Sequence, residues 1–432
     1  MVLGIPRKLA FGFLAVALFM TGDGFELTFL SKYLVDLGFS QVDAALVFTV
    51  YGFVAAVSAW SSGVVAEMFG ARRVMITGGV LWLVLHVVFL VFALGSGSLP
   101  LILAVYGARA LAYPLFIYAF VVLVAQSVDR ARLASAMGWY WAAYSMGIGV
   151  LGTYLPSWLI PLVGERATLW LALPWVAAGV LLCVTLVPRH VGATALVETL
   201  DRGARLRELA RGVTILGENR QILLAAAVRV ICNLTLFGFP VIMPLYLSSE
   251  DGGGQAWFDV TEWMRIWGVL FAVTLVTNVV WGRVGDRFGW MRQMRWYGCL
   301  GCAVTTLAFF YVPQWFGANL PLMMIAAALL GVTVSAFVPM GAIFPALAPE
   351  HRGAAISAHN LAAGVSTFLG PAIATALLPA VGPGGVCWAY AGLYVVGAVL
   401  TLFIHPPQPG VVERRALAPR VAVTAPGVLA AR

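Results

Sequence analysis

The stretch GVVAEMFGARR, residues 63–73, returns 219 residues later as GRVGDRFGWMR, residues 282–292. Both copies carry a glycine, then an acid, then a Phe-Gly pair and a final arginine. A second, weaker match places Arg132 in DRARLASAMG and Arg352 in EHRGAAISAHN at an offset of 220 residues. Recurrence at half the chain length predicts two structural repeats with corresponding loops.

The composition requires a lipid solvent for most of the chain. Of the 432 residues, 62% are hydrophobic and only 10% are charged, and the mean hydropathy is +0.94. A water-soluble globule of ordinary composition cannot bury that much apolar surface. Apolar runs of about 20 residues, each long enough to cross a membrane as a helix, recur along the chain. The predicted spans are 10–33, 44–68, 74–94, 100–125, 134–155, 168–187, 221–247, 264–284, 294–312, 321–347, 355–379 and 385–404.

Twelve spans and a half-length repeat predict an all-α integral membrane protein with two six-helix bundles. The first run is interpreted as a retained span, not a secretory signal, because acids lie inside it. We expect bundles at 1–187 and 221–405, a linker loop at 188–220 and a tail at 406–432. Substrate sites of such two-bundle transporters lie near the midplane between the repeats.

The positive charges predict the orientation. Basic residues concentrate in the N-terminus, the central loop, the tail and the alternate loops that begin with GARR, whereas only Lys32, Arg166 and Arg265 fall in the opposite loops. The positive-inside rule then places both termini and the central loop in the cytoplasm. We expect the chain to lie in the inner membrane. This asymmetry explains the net charge of +8, so we expect the lipid bilayer and a small molecule as partners, and no nucleic acid.

The repeated loop resembles the signature loop of the major facilitator superfamily. FMTGDGFELTFLSKYL (19–34), GWYWAAYSMGIGV (138–150) and FVPMGAIFPALAPEHRGAAISAHNLAAG (337–364) are further similar to the bacterial polyol permeases, the group of the ribitol and D-arabinitol carriers. That resemblance implies proton-coupled uptake of a linear sugar alcohol or a related hydroxylated metabolite. Two departures are Glu67, where aspartate is usual, and the fifth span, which lacks the glycine-proline signature of drug antiporters.

The repeated loops are candidates for a gate. Glycines permit close approach at a helix crossing, and acids near the bilayer edge can pair with loop arginines or meet a helix N-terminus. Such contacts would hold one side closed in one state and break in the other. The alternative is that they only anchor loops at the interface. The candidate gating residues are Gly63, Glu67, Arg72, Arg73, Gly282, Asp286, Arg287 and Arg292.

Asp23 and Glu26 lie inside the first span, three residues apart and therefore on one helical face. A charge in a span costs about 2.5–3.5 kcal/mol on insertion scales, so both should face the protein interior. Arg109 in the fourth span is a natural counter-ion. We expect one acid to carry the coupling proton, with Glu26 slightly favoured, and Arg109 to be its switchable partner. A static ion pair is the alternative, and His86 is interpreted as a core histidine.

Polar and aromatic groups at depth predict a pocket for hydroxyls. A polyol needs amides and carboxylates for its oxygens and aromatic faces for its C–H edges. Pro240, Pro244 and Gly238 predict a bent seventh span beside this pocket. With Asp23, Glu26 and Arg109, the candidate substrate residues are Tyr113, Trp141, Tyr144, Arg229, Asn233, Asn278, His359 and Asn360.

Other functions stay open at this point. A small organic acid could be clamped by Arg109 and Arg229 together, and a drug or sugar efflux carrier is less favoured. An intramembrane enzyme using Asp23 and Glu26 is disfavoured because the sequence has no catalytic or metal constellation, and a sensor would share the fold without turnover. The five cysteines lie in or beside apolar runs and predict no disulfide framework. We expect a monomer without cofactor or metal, driven by the proton gradient.

Overall fold

A computed structural model describes residues 7–128, 133–188, 202–248 and 255–408. Every regular element in these ranges is helical. The first half contains six helices: α1 (Arg7–Gly24 and Leu30–Asp36), α2 (Gln41–Phe69), α3 (Ala71–Ser96), α4 (Leu99–Arg109 and Ala112–Ser127), α5 (Leu133–Ser145, Met146–Leu151 and Gly152–Val163) and α6 (Glu165–Trp170 and Ala172–Thr185).

The second half repeats this pattern after a linker helix, Arg202–Glu218, which lies inside the predicted linker loop. Its helices are α7 (Arg220–Ile231 and Leu234–Ser248), α8 (Val260–Phe288), α9 (Trp290–Phe316) and α10 (Leu320–Ser335 and Met340–Leu347). A continuous helical stretch, Arg352–Leu400, is divided at Gly382, where φ is 63° and ψ is −174°. We call its two parts α11 (352–381) and α12 (383–400).

These helices account for the twelve predicted spans. Ten helices in the described ranges are long and apolar enough to cross a membrane, and the stretch Ala354–Leu400 among them contains both α11 and α12. The shorter apolar helix Leu9–Gly24 supplies the first span. The predicted all-α membrane fold is therefore confirmed, whereas the predicted domain limits stay predictions.

The internal repeat is visible in the geometry of its helix ends. α2 and α8 each contain 29 residues, and each begins with a capping box, formed by Ser40 with Asp43 and by Asp259 with Glu262. Each also ends at a glycine with positive φ, 90° at Gly70 and 97° at Gly289. Glycine adopts a positive φ without steric cost. Gly70 and Gly289 therefore form the sharp turns after which α3 and α9 begin at the next residue.

The two halves pack closely at the end of the bundle opposite the linker helix, which we call the far end. Ser31 Oγ in α1 donates to the Pro240 carbonyl in α7 at 3.0 Å. Trp263 Nε1 in α8 donates to the Thr28 carbonyl at 2.8 Å. Gly268 in α8 lies against the ring of Tyr154 in α5, with only 2.6 Å between that ring and a Cβ built on the glycine. The far end is therefore closed.

The end that carries the linker helix, here the linker end, is packed differently. A Cβ built on Gly63 or Gly282 meets no atom within 4 Å. The close helix approach predicted at both glycines is therefore absent from this structure. The helices of the two halves instead approach each other closely nearer the middle and the far end, where Gly52 contacts Thr367 and Gly364 contacts Ala56. This is why the space beside Gly63 and Gly282 stays unfilled.

Candidate functional site

The first and fourth helices of each half break inside the membrane region. α1 is interrupted at 25–29, α4 at 110–111, α7 at 232–233 and α10 at 336–339. Interrupted helices free backbone groups and are tolerated at membrane depth where they line a cavity or are buried in protein. The breaks therefore mark the middle of the bundle as the candidate site.

Glu26 and Arg109 form a buried two-pronged ion pair at two of these breaks. Arg109 Nη1 donates to Glu26 Oε2 at 3.0 Å, and Nη2 donates to Oε1. The exposed fraction is 0% for Arg109 and 3% for Glu26. The guanidinium also lies over the rings of Tyr106 and Trp82, at 4.6 and 4.8 Å from their centroids. Neither charge faces lipid, in agreement with the prediction from the sequence.

His86 extends this pair to α6. Its Nδ1 lies 2.5 Å from Arg109 Nη1, and its Nε2 lies 3.0 Å from the Leu169 carbonyl. An arginine can only donate, so Nδ1 accepts and the ring proton sits on Nε2, where it is donated to Leu169. The histidine is therefore neutral and fully buried. This agrees with the interpretation of His86 as a core residue and gives it a definite contact with Arg109.

Asp23 has a different donor. Trp82 Nε1 donates to Asp23 Oδ1 at 2.6 Å, and the same indole stacks on His86 with 4.4 Å between ring centroids. Among the described residues this is the one hydrogen bond that Asp23 accepts through its side chain. Its exposed fraction is 8%. The second carboxylate oxygen is therefore available to a solute in the space beside it.

That space is a cavity between the two halves, with about 560 Å³ of empty space, which includes some open solvent. We call it the aromatic cavity. Asp23 and Glu26 lie at its wall with tyrosines that have no hydrogen-bond partner for their hydroxyls among the described residues. The lining comprises Asp23, Glu26, Leu27, Phe48, Tyr51, Tyr106, Tyr113, Tyr144, Ile148, Phe237, Thr367 and Pro371.

The sequence profile of the Major Facilitator Superfamily matches residues 12–314 and 265–431. The chain belongs to this superfamily. It is a membrane transporter and not an enzyme.

Curated relatives in the superfamily match nearly the full length of this transporter. The D-arabinitol transporter of Klebsiella pneumoniae is 49% identical over 96% of each chain. The ribitol transporter of Klebsiella pneumoniae is 49% identical over 94% of each chain. The alpha-ketoglutarate permease of Bacillus subtilis (strain 168) is 37% identical, covering 93% of this chain and 90% of its own length. The resemblance to polyol permeases that the motifs indicate is thus confirmed.

A solved structure supports the fold. The crystal structure of a point mutant of the nucleoside transporter NupG superposes with a TM-score of 0.71 over 92% of this chain and 99% of its own. Its sequence identity is 17%, so the likeness concerns the fold alone.

A second polar cluster lies in the other half of this transporter. Arg229 Nε in α7 donates to His359 Nε2 in α11 at 3.1 Å, and Arg229 Nη1 donates to Cys232 Sγ at 2.9 Å. His359 Nδ1 lies 3.3 Å from Asn360 Oδ1. We call Arg229, Cys232, Asn233, His359 and Asn360 the Arg229 cluster. Four of the predicted substrate residues therefore come together here, although none of them lines the aromatic cavity directly.

Two predicted substrate residues, Trp141 and Asn278, belong neither to the lining of the aromatic cavity nor to the Arg229 cluster. Trp141 is 44% exposed, and its ring contacts Tyr144 edge-on at 5.5 Å. Asn278 is half-buried on α8, one turn before the open Gly282. Their predicted contact with substrate stays a prediction.

The candidate gating residues lie at the linker end. Arg72 donates from Nε to the Cys183 carbonyl at 3.1 Å and from Nη2 to the Val184 carbonyl, so it caps the last turn of α6. Asp286 accepts a bond from Trp290 Nε1 at 3.3 Å. Glu67, Arg73, Asp286, Arg287 and Arg292 are exposed. In this conformation Arg72 holds the end of α6, as expected if the loop residues only anchor the loops. The gating role of the other candidate residues stays a prediction.

Sequence reasoning missed several residues of the site. Trp82 is the donor to Asp23, and Tyr51, Tyr106, Phe237 and Thr367 line the aromatic cavity. One signal was available for Trp82: it precedes His86 by four residues, so both lie on one face of α3. No comparable signal marks the others, since tyrosines in apolar helices more often pack or anchor at the interface.

Proposed function

We propose that this transporter imports a linear polyol, such as ribitol or D-arabinitol, together with a proton. The single observation that supports it best is the Asp23 carboxylate, bonded to Trp82 and surrounded by tyrosines in a cavity between the two halves. The two Klebsiella relatives, named as D-arabinitol and ribitol transporters at 49% identity, point to the same substrate class.

The cavity suits a neutral molecule with many hydroxyls. The free carboxylate oxygen of Asp23 can accept a hydrogen bond from a substrate hydroxyl. The phenol groups of Tyr51, Tyr113 and Tyr144 can both donate and accept hydrogen bonds. Aromatic faces cover the C–H edges of the carbon chain. The two-arginine clamp for an organic acid is not formed here, because both terminal nitrogens of Arg109 bind Glu26.

The two acids divide the roles. Glu26 is held by Arg109 and keeps α1 against α4, while Asp23 has no cation bonded to it and takes up the proton. This reverses the slight preference for Glu26, which rested on its longer and less confined side chain. A charge that crosses a potential of about 100 mV supplies about 2.3 kcal/mol, which sustains about 50-fold accumulation of a neutral solute.

The transport cycle requires the two ends of the bundle to close in turn. In the proposed orientation the far end, closed by the Ser31–Pro240 and Trp263–Thr28 bonds, faces outwards, and both termini are cytoplasmic. The linker end then opens to the cytoplasm, and the repeated loops close it in the other state. The protein works as a monomer in the inner membrane, without cofactor or metal and driven by the proton gradient.

The test is uptake into proteoliposomes under an imposed pH gradient, acid outside. We expect ribitol or D-arabinitol to accumulate above its external concentration and to leak out when a protonophore collapses the gradient. Protein-free liposomes are the control, and a dicarboxylate tests the alternative substrate. Accumulation of the dicarboxylate without any polyol uptake would overturn the proposal.

A further inference from the structure

Arg229 is a half-buried cation without a bonded acid. The ion pairs among the described residues join Lys32 to Asp36 and Arg109 to Glu26, and neither includes Arg229. Its Nε is bonded to His359 and its Nη1 to Cys232, so the Nη2 amino group has no acceptor among the described residues. This differs from Arg109, whose two terminal nitrogens are both bonded to a carboxylate.

The neighbours of Arg229 are neutral. Because an arginine only donates, His359 accepts at Nε2 and carries its proton on Nδ1, which donates to Asn360 Oδ1. The imidazole therefore carries no charge and fixes the guanidinium in place. Because Asn360 Oδ1 accepts this hydrogen bond, the side-chain amide nitrogen of Asn360 is a second donor without an acceptor in the described part of the chain. The cluster thus presents donors and one positive charge.

The cluster adjoins the aromatic cavity on its linker-end side. Arg229, Asn233 and Phe237 follow at intervals of four residues along α7, and Phe237 lines the cavity. On α11, Asn360 precedes the cavity residue Thr367 by seven residues, which is two turns of the same face. The cluster therefore lies about two helical turns from these cavity residues, where the end of a linear solute that extends from the cavity would meet its donors.

We propose that the Arg229 cluster binds the terminal carboxylate of a linear polyhydroxy acid whose hydroxylated chain occupies the aromatic cavity. The inference rests on the proposed function, since the same cavity holds the polyol. A guanidinium edge binds a carboxylate through two parallel hydrogen bonds, whereas a neutral hydroxymethyl end leaves the charge of Arg229 uncompensated at membrane depth, where charges are costly. The transporter thus accepts aldonates as well as alditols.

The first test uses the wild-type protein in proteoliposomes and measures inhibition of labelled ribitol uptake. Ribonate, which is ribitol with one end oxidised to a carboxylate, is compared with pentanoate, which has the carboxylate and no hydroxyls. We expect ribonate to inhibit within tenfold of unlabelled ribitol, and pentanoate to be at least tenfold weaker than ribonate. Ribitol uptake that ribonate does not inhibit would overturn this inference alone, whereas absence of uptake of both ribitol and D-arabinitol would overturn the proposed function and this inference with it.

The second test compares variants by the ratio of the ribonate and ribitol inhibition constants. Arg229→Gln should raise this ratio at least tenfold, and Arg229→Lys by about threefold, because lysine keeps the charge without the two-pronged geometry. Arg265→Gln is the matched control: Arg265 is also half-buried, lies 4.7 Å over the Trp158 ring and should leave the ratio unchanged. An unchanged ratio in the Arg229 variants would overturn the inference, even if proton movement changes. Should Arg229→Gln fail to fold, the lysine variant decides.

Discussion

Arg109 and Glu26 lie 83 residues apart in the chain and join α4 to α1 through a two-pronged ion pair that is almost fully buried. Asp23, one turn before Glu26 on α1, instead accepts a hydrogen bond from Trp82. Two carboxylates of one helical face are thus held by donors from different helices. This separation gives one acid a structural role and leaves the other for proton transfer in the proposed mechanism.

The ion pair should dominate the stability of the first half. Removing one partner of a buried pair leaves an uncompensated charge and costs about 3–5 kcal/mol, so Glu26→Gln should lower the unfolding temperature strongly. The double variant Glu26→Gln with Arg109→Gln should recover part of the loss. Thermal unfolding of purified protein measures this.

The control for the ion pair is Lys32→Gln. Lys32 forms a pair with Asp36 at 2.5 Å at the far end of α1, where Asp36 is 41% exposed. An exposed pair contributes about 0–1 kcal/mol, so this variant should unfold almost like the wild type. Equal losses in Glu26→Gln and Lys32→Gln would contradict the structural role of Glu26.

Trp82→Phe should weaken polyol binding about tenfold. Phenylalanine keeps an aromatic face against His86 but removes the N–H that fixes the Asp23 carboxylate. A hydrogen bond to a charged group contributes about 1.5–3 kcal/mol. The measurement is the apparent affinity for ribitol in uptake, and Trp388→Phe, which loses a bond to the Tyr311 hydroxyl at 3.0 Å on the exposed side of α12, is the matched control. A similar change in both variants would argue against a role for Trp82 in the site.

Gly63→Leu should slow turnover without lowering stability. A Cβ on Gly63 meets nothing within 4 Å in this structure, so the leucine fits here. It should hinder the close helix approach that we propose for the other state. Gly392→Leu, at another open glycine but on α12, is the control. Equal turnover in the two variants, measured by ribitol exchange, would contradict a gate at Gly63.

The N-cap of α8 gives a pH-dependent prediction outside the membrane spans. Burial acts to raise the pKa of the Asp259 carboxyl, but hydrogen bonds from Thr261 and from the Glu262 N–H outweigh it and hold the pKa below its usual value. The ionised cap therefore stabilises the fold above about pH 4, and this stabilisation is lost as the pH falls through the lower folded-state pKa. Asp259→Asn keeps a cap without a charge, so its unfolding temperature should change less between pH 5 and pH 3. The same pH dependence in both proteins would contradict this account.

The spans and the repeat could be predicted because they depend on local apolar length and on matching loops. The same reasoning places Asp23 and Glu26 in the interior, with Arg109 as counter-ion. It could not decide which acid binds Arg109, because a spacing of three residues puts both acids on one helical face.

Tertiary contacts between distant segments account for the rest. Trp82 lies on α3 and reaches α1, and Arg229 meets His359 across 130 residues of chain. The spacing of Trp82 from His86 indicates a shared face of α3, but no local pattern predicts either partner across the fold. The free space beside Gly63 and Gly282 is a property of this conformation, which the sequence alone does not specify.

The most direct test of the central claim is the number of protons that enter with each ribitol in proteoliposomes, followed with a pH-sensitive dye beside labelled ribitol. For the wild type we expect about one proton per ribitol. For Asp23→Asn, any ribitol that still enters down its gradient should carry no proton, while Asp23→Glu should keep the wild-type ratio. An unchanged ratio in Asp23→Asn would contradict the assignment of Asp23 as the proton carrier.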